Sequence, residues 1–371
     1  MPGRPGASHE RRNLIVQALT FGVTAAVLWW LAHNMSASLE RRGLSLGFGF
    51  LKQPANFEIG DTAWLRFSPE QSIGRAILVG LLNTARVSVV GCALAVAVGF
   101  VVGVLRLSHN PALRGVMRAG VELIRNTPLL LLLLFLYASL QGLPSAAHAL
   151  RPAPGWFLSG RGLVLPSIEF SVLTTWLAAL VVVALVLGRR LGTIGWPTVA
   201  LLLAAVAVSM VIRHPTVETA HLVGFNFVGG TTLSPEFAAL LAALVLHHAA
   251  HISEVVRGAI LSVPRGQRDA ARALGLSPFQ TLRMITIPLA LRAMVPLLAT
   301  SCVSLIKNSS LAVAIGFPDI VSILNTTGNQ TGHNIETMCI MIVVYLSLSL
   351  AVAAALNRYN TNLLALDAQL P

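Results

Sequence analysis

What most restricts this chain is a series of apolar runs that are too long and too poor in charge for a water-soluble core. Ile77 to Leu105 carries one charged side chain, Arg86, and at the α-helical rise it exceeds the ~30 Å of a bilayer's hydrocarbon. Comparable runs cover Leu14–Ala32, Leu129–Leu140, Val172–Leu187, Ile194–Ile212, Phe237–Ala259, Ala293–Ile315 and Ile335–Leu356. With 55% of 371 residues hydrophobic and 11% charged, an ordinary soluble domain is excluded. The prediction is an all-α integral membrane protein with about eight transmembrane helices.

The polar segments give the order and orientation of those helices. Residues 1–13 are rich in Gly, Pro and Arg and read as loose. The first run ends in Trp29-Trp30, suited to an interface. It resembles a signal peptide in place, but no good Ala-x-Ala site follows it and 19 residues exceed the usual apolar core, so a retained anchor is favoured. Residues 34–75, 142–166 and 213–235 read as loops on one side, with a basic loop at 106–125 and a tight turn at Arg189-Arg190 on the other. Thr127 before Pro128 marks a helix start at the third run. Under eight spans, 16 of the 26 Lys and Arg fall on the side of residues 257–292 and 8 on the opposite side, with Arg86 and Lys307 inside spans. That asymmetry makes the first side cytoplasmic, together with both termini. It also accounts for the +12 net charge without nucleic acid. Cys92, Cys302 and Cys339 lie singly in apolar runs and read as small buried hydrophobes, not a disulfide frame or a metal site.

The polar stretch from Arg257 to Phe317 has helical patterning of its own. A helix over about Gln267–Leu274 should stop at Gly275, where positive φ is wanted, and restart with Ser277 as N-cap and Pro278 as first helical residue. Ala270 and Ala271 beside Asp269 are expected to leave a flat face for close packing by another protein. Asp269-Ala270-Ala271, three residues, Gly275, nine residues, then Ile285-Thr286-Ile287-Pro288 resembles the EAA loop of ABC-importer permeases, with Asp in place of Glu and Ile287 in place of Leu. The resemblance implies a type I ABC-importer permease architecture in which this segment, 263–289, is a cytoplasmic coupling helix seated on an ATPase subunit. Asp269, Ala270, Ala271, Gly275, Ile285 and Pro288 would be its coupling residues.

Further segments resemble the polar amino acid permeases: Gly80, Asn83, Thr84, Arg86 and Ser88; Glu122 and Arg125 to Leu129; Ser253, Glu254, Arg257 and Gly258; and Lys307 to Leu311 followed by Gly316. The additional first span and the two-span insert at 143–235 are similar to the longer branch, the general L-amino acid permeases. Residues 1–73 would form a tail, anchor helix and periplasmic loop, 74–357 the permease domain, and 358–371 a cytoplasmic tail. The resemblance implies an amino acid substrate, a bacterial inner-membrane location, a second permease subunit, two ATPase subunits and a periplasmic binding protein. Only Lys52 and Lys307 occur, neither in a Gly-Lys-Ser/Thr run, so no Walker A cradle exists and ATP would be bound by a partner. The chain is read as no enzyme and as holding no cofactor. The alternatives are an ion-coupled secondary transporter, for which Glu254 and Glu336 are the acids at depth, and a metal-dependent intramembrane enzyme.

An amino acid crossing the bilayer centre needs fixed partners for its carboxylate and its ammonium. The candidates are Lys307 with Asn308 and Ser309, and Glu254 with Arg257. Lys307 suits a substrate carboxylate or, equally, an interhelical cation. Glu254 and Arg257, spaced i,i+3, are favoured as a structural ion pair. Arg86, near a helix end, is favoured as snorkelling. His247, His251 and Glu254 share one face, but a polar face lining the path is favoured over a metal site.

Overall fold

The structure, a computed structural model, describes residues 7–41, 47–62, 65–169, 203–206, 208–209, 216–224 and 226–367. Its helices are α1 (Ala7–Arg41), α2 (Ile73–Leu105), α3 (Pro111–Arg125), α4 (Leu129–Gln141), α5 (Pro235–Ser262), α6 (Arg265–Ala273), α7 (Pro278–Thr281), α8 (Ile287–Asn308), α9 (Ile320–Thr331) and α10 (Asn334–Asp367). A π turn at Leu282–Thr286 joins α7 to α8, and a 3-10 stretch, Ser309–Ile315, prolongs α8.

Among the described residues, four helical stretches are long and apolar enough to cross a membrane: α2, α5, the run Pro278–Ile315, and the Asn334–Ala354 part of α10. The bent pair α3–α4 makes a fifth if it is one span, and α1 contributes the shorter apolar stretch Ile15–Leu31. The expected spans Val172–Leu187 and Ile194–Ile212, with the Arg189-Arg190 turn, lie outside the described residues apart from short helical pieces at 203–206 and 208–209. The count of described spans is thus four or five, against the eight expected.

α2 and α5 form the centre of the bundle. Gly99 and Gly103, four apart on α2, let α5 approach to backbone distance: a Cβ at Gly99 would lie 2.9 Å from the Ala249 carbonyl oxygen, and one at Gly103 2.8 Å from that of Ser253. Around this contact Val87, Ala95, Leu133, Leu240, Leu244, Ile252, Val256, Met294, Leu305 and Phe317 are buried together. Cys92 sits where α2 meets α8, its Sγ 3.8 Å from the Cys302 carbonyl, and both cysteines are half-buried while Cys339 is exposed. Ser72 caps α2 by accepting from the Arg75 amide, and Ser234 caps α5 by accepting from Phe237.

Three features depart from the sequence reading. Residues 111–125, expected as a loop, form α3, because Asn110 accepts from the Ala112 and Leu113 amides and Pro111 is pre-set for a first turn. α9 was not expected; Asp319 caps it, and it packs between α2 and α10. The described parts of the chain between α4 and α5, within 142–169 and 216–234, carry short strands: β1 (Phe157–Ser159), β2 (Gly162–Leu165), β3 (Ser167–Glu169), β4 (Thr216–Glu218), β5 (His221–Val223), β6 (Asn226–Val228) and β7 (Thr231–Leu233). Antiparallel pairing in the order β1-β2-β7 sets Leu163 opposite Leu233, so the segment returns beside its own starting point.

Candidate functional site

The polar elbow below α5 is built by local chemistry. α5 ends at Ser262, and α6 closes in a Schellman arrangement: the Gly275 amide donates to the Arg272 carbonyl at 2.9 Å and the Leu276 amide to that of Ala271 at 3.1 Å. Gly275 has φ +77°, the left-handed conformation the closure requires. The chain restarts with a capping box: Ser277 Oγ accepts from the Gln280 amide at 3.3 Å and Gln280 Oε1 accepts from the Ser277 amide at 2.9 Å, with Pro278 first in the helix. The expected stop and restart are therefore present at Gly275, Ser277 and Pro278.

The flat alanine face is not. Ala271 is buried against the chain's own elbow, and only Ala270 and Asp269 of the trio face outward, Asp269 lying 3.7 Å from Arg272. What the elbow does expose is apolar: Leu274 at 81%, Phe279 at 69% and Met284 at 61% of their surface. Ile285 is half-buried and Pro288 exposed. The sequence reading missed Leu274, Phe279 and Met284, although large apolar side chains flanking a glycine stop in an otherwise charged segment were visible there.

A groove of about 740 Å³ runs up from the elbow between α5 and α8. His247, His248, His251 and Glu254 of α5 line it, with Thr300, Ser301 and Ser304 of α8 and Arg125 from the end of α3. Midway along it Glu254 is the hub of a charge cluster. Arg106 Nη1 donates to Glu254 Oε2 at 2.6 Å, Arg257 donates to Oε1 through Nε at 3.1 Å and also through Nη2, and Arg125 Nη1 lies 3.8 Å away. Arg106 is buried and also donates to Ser253 Oγ at 3.3 Å. The Glu254–Arg257 pair is thus extended: one carboxylate ties the ends of α2 and α3 to α5. That Arg106 and Arg125 meet Glu254 escaped the sequence reading because they are distant from it in the chain.

The histidines meet edge to face, with ring centroids 4.8 Å apart for His247–His251 and 5.4 Å for His247–His248. Both Glu254 oxygens face arginines rather than imidazoles, and among the described residues no group of three or more His, Cys, Asp and Glu is arranged to hold a metal. His248 is buried, with Nε2 3.2 Å from Asn308 Nδ2, which couples α5 to α8. Ser309 is buried and donates to the Ile306 carbonyl at 2.7 Å. Lys307 is exposed in the last turn of α8, on the helix face shared with Thr300 and Ser304, and among the described residues no carboxylate pairs with it. Of the Lys307–Asn308–Ser309 run, the structure presents only Lys307 to the outside.

Arg86 does not snorkel. It is buried in the N-terminal half of α2, 3.3 Å from Asp61 and stacked 3.9 Å over the Phe237 ring. The segment 47–62 folds over that half and brings Asp61 to it, while Asn83 Nδ2 donates to the carbonyls of Asp61 at 2.8 Å and Pro318 at 3.0 Å. Thr84 Oγ1 accepts from the Ile320 amide at 3.0 Å, fixing the start of α9. Glu336 accepts from the Gly47 amide at 3.0 Å and lies 3.0 Å from His333 Nδ1.

Residues 95–363 match the family described as the binding-protein-dependent transport system inner membrane component. The chain is 37% identical over 369 residues to the general L-amino acid transport system permease protein AapQ of Rhizobium johnstonii, covering 95% of this chain and 92% of that protein. It is also 37% identical over 369 residues to the putative amino-acid ABC transporter permease protein YhdX of Escherichia coli strain K12, covering 94% and 93% respectively. In fold it is similar to a chain of a crystallised amino acid ABC transporter, with TM-score 0.50 and 18% identity over 78% of this chain and 94% of that one.

Proposed function

The chain belongs to the binding-protein-dependent transport system inner membrane components, and from that membership we propose that it is the permease subunit of an ATP-driven importer of L-amino acids. Its relatives are named as amino acid permeases along almost their whole length, which supports the substrate class. It works in the bacterial inner membrane, both termini cytoplasmic, beside a second permease subunit, with two ATPase subunits below and a periplasmic binding protein above.

The elbow of α6 and α7 is the coupling element, with Asp269, Ala270, Ala271, Gly275, Ile285 and Pro288 shaping it and Leu274, Phe279 and Met284 entering the ATPase groove. The observation that carries this assignment is the exposure of those three large apolar side chains on an element braced by a Schellman stop and a capping box. Exposed hydrophobics clustered on a rigid elbow mark a protein interface. Nucleotide-driven closure of the ATPases pushes the elbow and, through α5 and α8, switches the groove between outward and inward access.

The substrate path follows the groove. Lys307 receives the substrate carboxylate, Asn308 and Ser309 hold the end of α8 that presents it, and Glu254 with Arg257 forms the cytoplasmic end of the path. Gly275→Val tests the coupling role, since a β-branched residue at φ +77° is strained by about 1–2 kcal/mol and the elbow loses its stop. Amino acid uptake should be lost while the amount of chain in the membrane is unchanged. Normal uptake by that variant would refute the assignment.

A further inference from the structure

We propose that the middle of the groove is a subsite for the head group of an α-amino acid, Arg125 taking the carboxylate and the hydroxyls of Thr300 and Ser301 taking the ammonium. It rests on the reading of the groove as the substrate path, and adds to that path a second carboxylate station beyond Lys307, at the level of Glu254. Three observations converge on it.

The first is a cation to spare. Glu254 is the one carboxylate in the lining of the groove, and its oxygens are taken: Oε2 accepts from Arg106 at 2.6 Å, and Oε1 accepts from Arg257 through Nε at 3.1 Å and through Nη2. Arg125 Nη1 stands 3.8 Å from Oε2, within ion-pair range but beyond hydrogen-bond range. Glu122, the acid of its own helix, is held by Arg118 Nε at 2.8 Å. Three guanidinium groups around one carboxylate leave the cluster positive. The exposed guanidinium of Arg125 lines the groove and suits a carboxylate that arrives through it.

The second is a pair of acceptors across from it. Thr300 Oγ1 donates to the Pro296 carbonyl at 3.2 Å and Ser301 Oγ to that of Leu297 at 3.1 Å. With their protons spent one turn back, both hydroxyls present lone pairs to the groove they line, as an ammonium requires. Their level follows from the helix pair. α5 and α8 are consecutive spans joined by the elbow and run antiparallel, and His248 of α5 meets Asn308 of α8 at 3.2 Å. An equal step toward the elbow on each helix reaches Glu254 and Cys302, so Thr300 and Ser301 stand level with Glu254 and Arg125.

The third is what surrounds these groups. Toward the elbow the groove is lined by Val255, Ala259, Ala293 and Leu297, which offer a substrate side chain apolar surface and no charge. The volume, about 740 Å³, is that of a small-molecule site and exceeds what one head group needs. Recognition is thereby confined to the part that every α-amino acid shares, and side chains of different size can pass.

The test uses the full-length chain in phosphatidylcholine nanodiscs, with Cys92, Cys302 and Cys339 replaced by Ala and Ser304→Cys as a reporter in the groove lining. Modification of that cysteine by an aqueous maleimide should slow several-fold as L-alanine or L-glutamine is raised to saturation. Propionate, which lacks the ammonium, and ethylamine, which lacks the carboxylate, should protect far less. Arg125→Gln should raise the half-protecting concentration about ten-fold, as for the loss of a charge-assisted hydrogen bond, with the rate in the absence of amino acid unchanged. Arg125→Lys, which keeps the charge without the fork, should recover part of that loss. Ser301→Ala leaves the arginine cluster in place and should raise the same concentration about three-fold, and it decides where Arg125→Gln yields no folded chain. An unchanged half-protecting concentration in either variant would overturn the proposal. So would the absence of protection by either amino acid up to its solubility, or protection by propionate equal to that by L-alanine, the mark of a general anion site. Uptake by the assembled importer without protection here would sink the subsite alone, whereas absence of all amino acid uptake would sink the importer assignment.

Discussion

Gly99→Ala measures how much of the bundle depends on one close helix crossing. A methyl group there would lie 2.6 Å from Ile252 Cγ2, 2.7 Å from Ile252 Cβ and 2.9 Å from the Ala249 carbonyl oxygen. Relaxed carbon contacts begin near ~3.5 Å, so relief needs roughly 1 Å of separation between α2 and α5. A rotamer change in Ile252 cannot provide it, because its Cβ is itself in the clash and the carbonyl belongs to the backbone. Separating the helices also draws Arg106, at the end of α2, away from Glu254 on α5, where the contact is 2.6 Å. Alanine gains ~1 kcal/mol of helix propensity over glycine and overpacking costs ~1–3 kcal/mol. With the strained ion pair added, the balance is a net loss of about 1–2 kcal/mol. Gly103→Ala should behave alike, since its methyl would lie 2.7 Å from Val256 Cβ. The double variant should cost less than the sum, as one displacement relieves both sites. Gly258→Ala on α5 is the control, because nothing lies within 4 Å of a Cβ there. The assay is size-exclusion of detergent-solubilised chain after stepwise heating. Gly99→Ala surviving to the same temperature as Gly258→Ala would refute the packing argument.

Glu254→Gln removes the one carboxylate that three arginines share and leaves buried Arg106 without its charge partner. Breaking a fully buried pair costs ~3–5 kcal/mol, and with Glu254 partly exposed the expected loss is about 1–3 kcal/mol, read in the same heating assay. Lys307→Met should lower amino acid uptake and substrate-stimulated ATPase activity of the assembled importer several-fold with the chain still folded; unchanged kinetics would assign Lys307 a purely structural role. Leu274→Asp puts a charge into the proposed ATPase contact without touching the chain's own core, and co-purification of the ATPase should drop at unchanged permease yield. Retention of the ATPase at wild-type level would show that the contact lies elsewhere on the elbow.

What could be read from the sequence was what depends on neighbours along the chain. Gly275, Ser277 and Pro278 act through hydrogen bonds to residues within five positions, and their roles appear in the structure as expected. The ends of α2, α4 and α5 follow from apolar runs and were placed to within a few residues; the seventh run's expected end at Ile315 is that of the 3-10 stretch after α8, and its start was missed because the π turn makes α7 and α8 one continuous run. Side-chain orientation across elements was not readable. Ala271 looked like an outward face because composition does not say which side of a nine-residue helix rests on its own elbow. Arg86 looked free to snorkel because Asp61, 25 residues earlier, belongs to a segment with no periodic pattern. The strands between α4 and α5 are three or four residues long, too short for alternation to register.

The arginines show why these two kinds of information separate. Arg106, Arg125 and Arg257 count toward the cation excess that orients the chain, and a positive-inside argument treats each as a charge anchored to water. In the structure the same three converge on Glu254 and fasten α2, α3 and α5 at one point beside the groove. A residue at a helix end can do both, because the interface is where a long side chain reaches either water or a carboxylate on the next helix. Orientation needs only the number of such residues. The clamp needs their positions in space, so moving an arginine from 106 to another cytoplasmic position would keep the count yet lose the Nη1 that donates to both Ser253 Oγ and Glu254 Oε2.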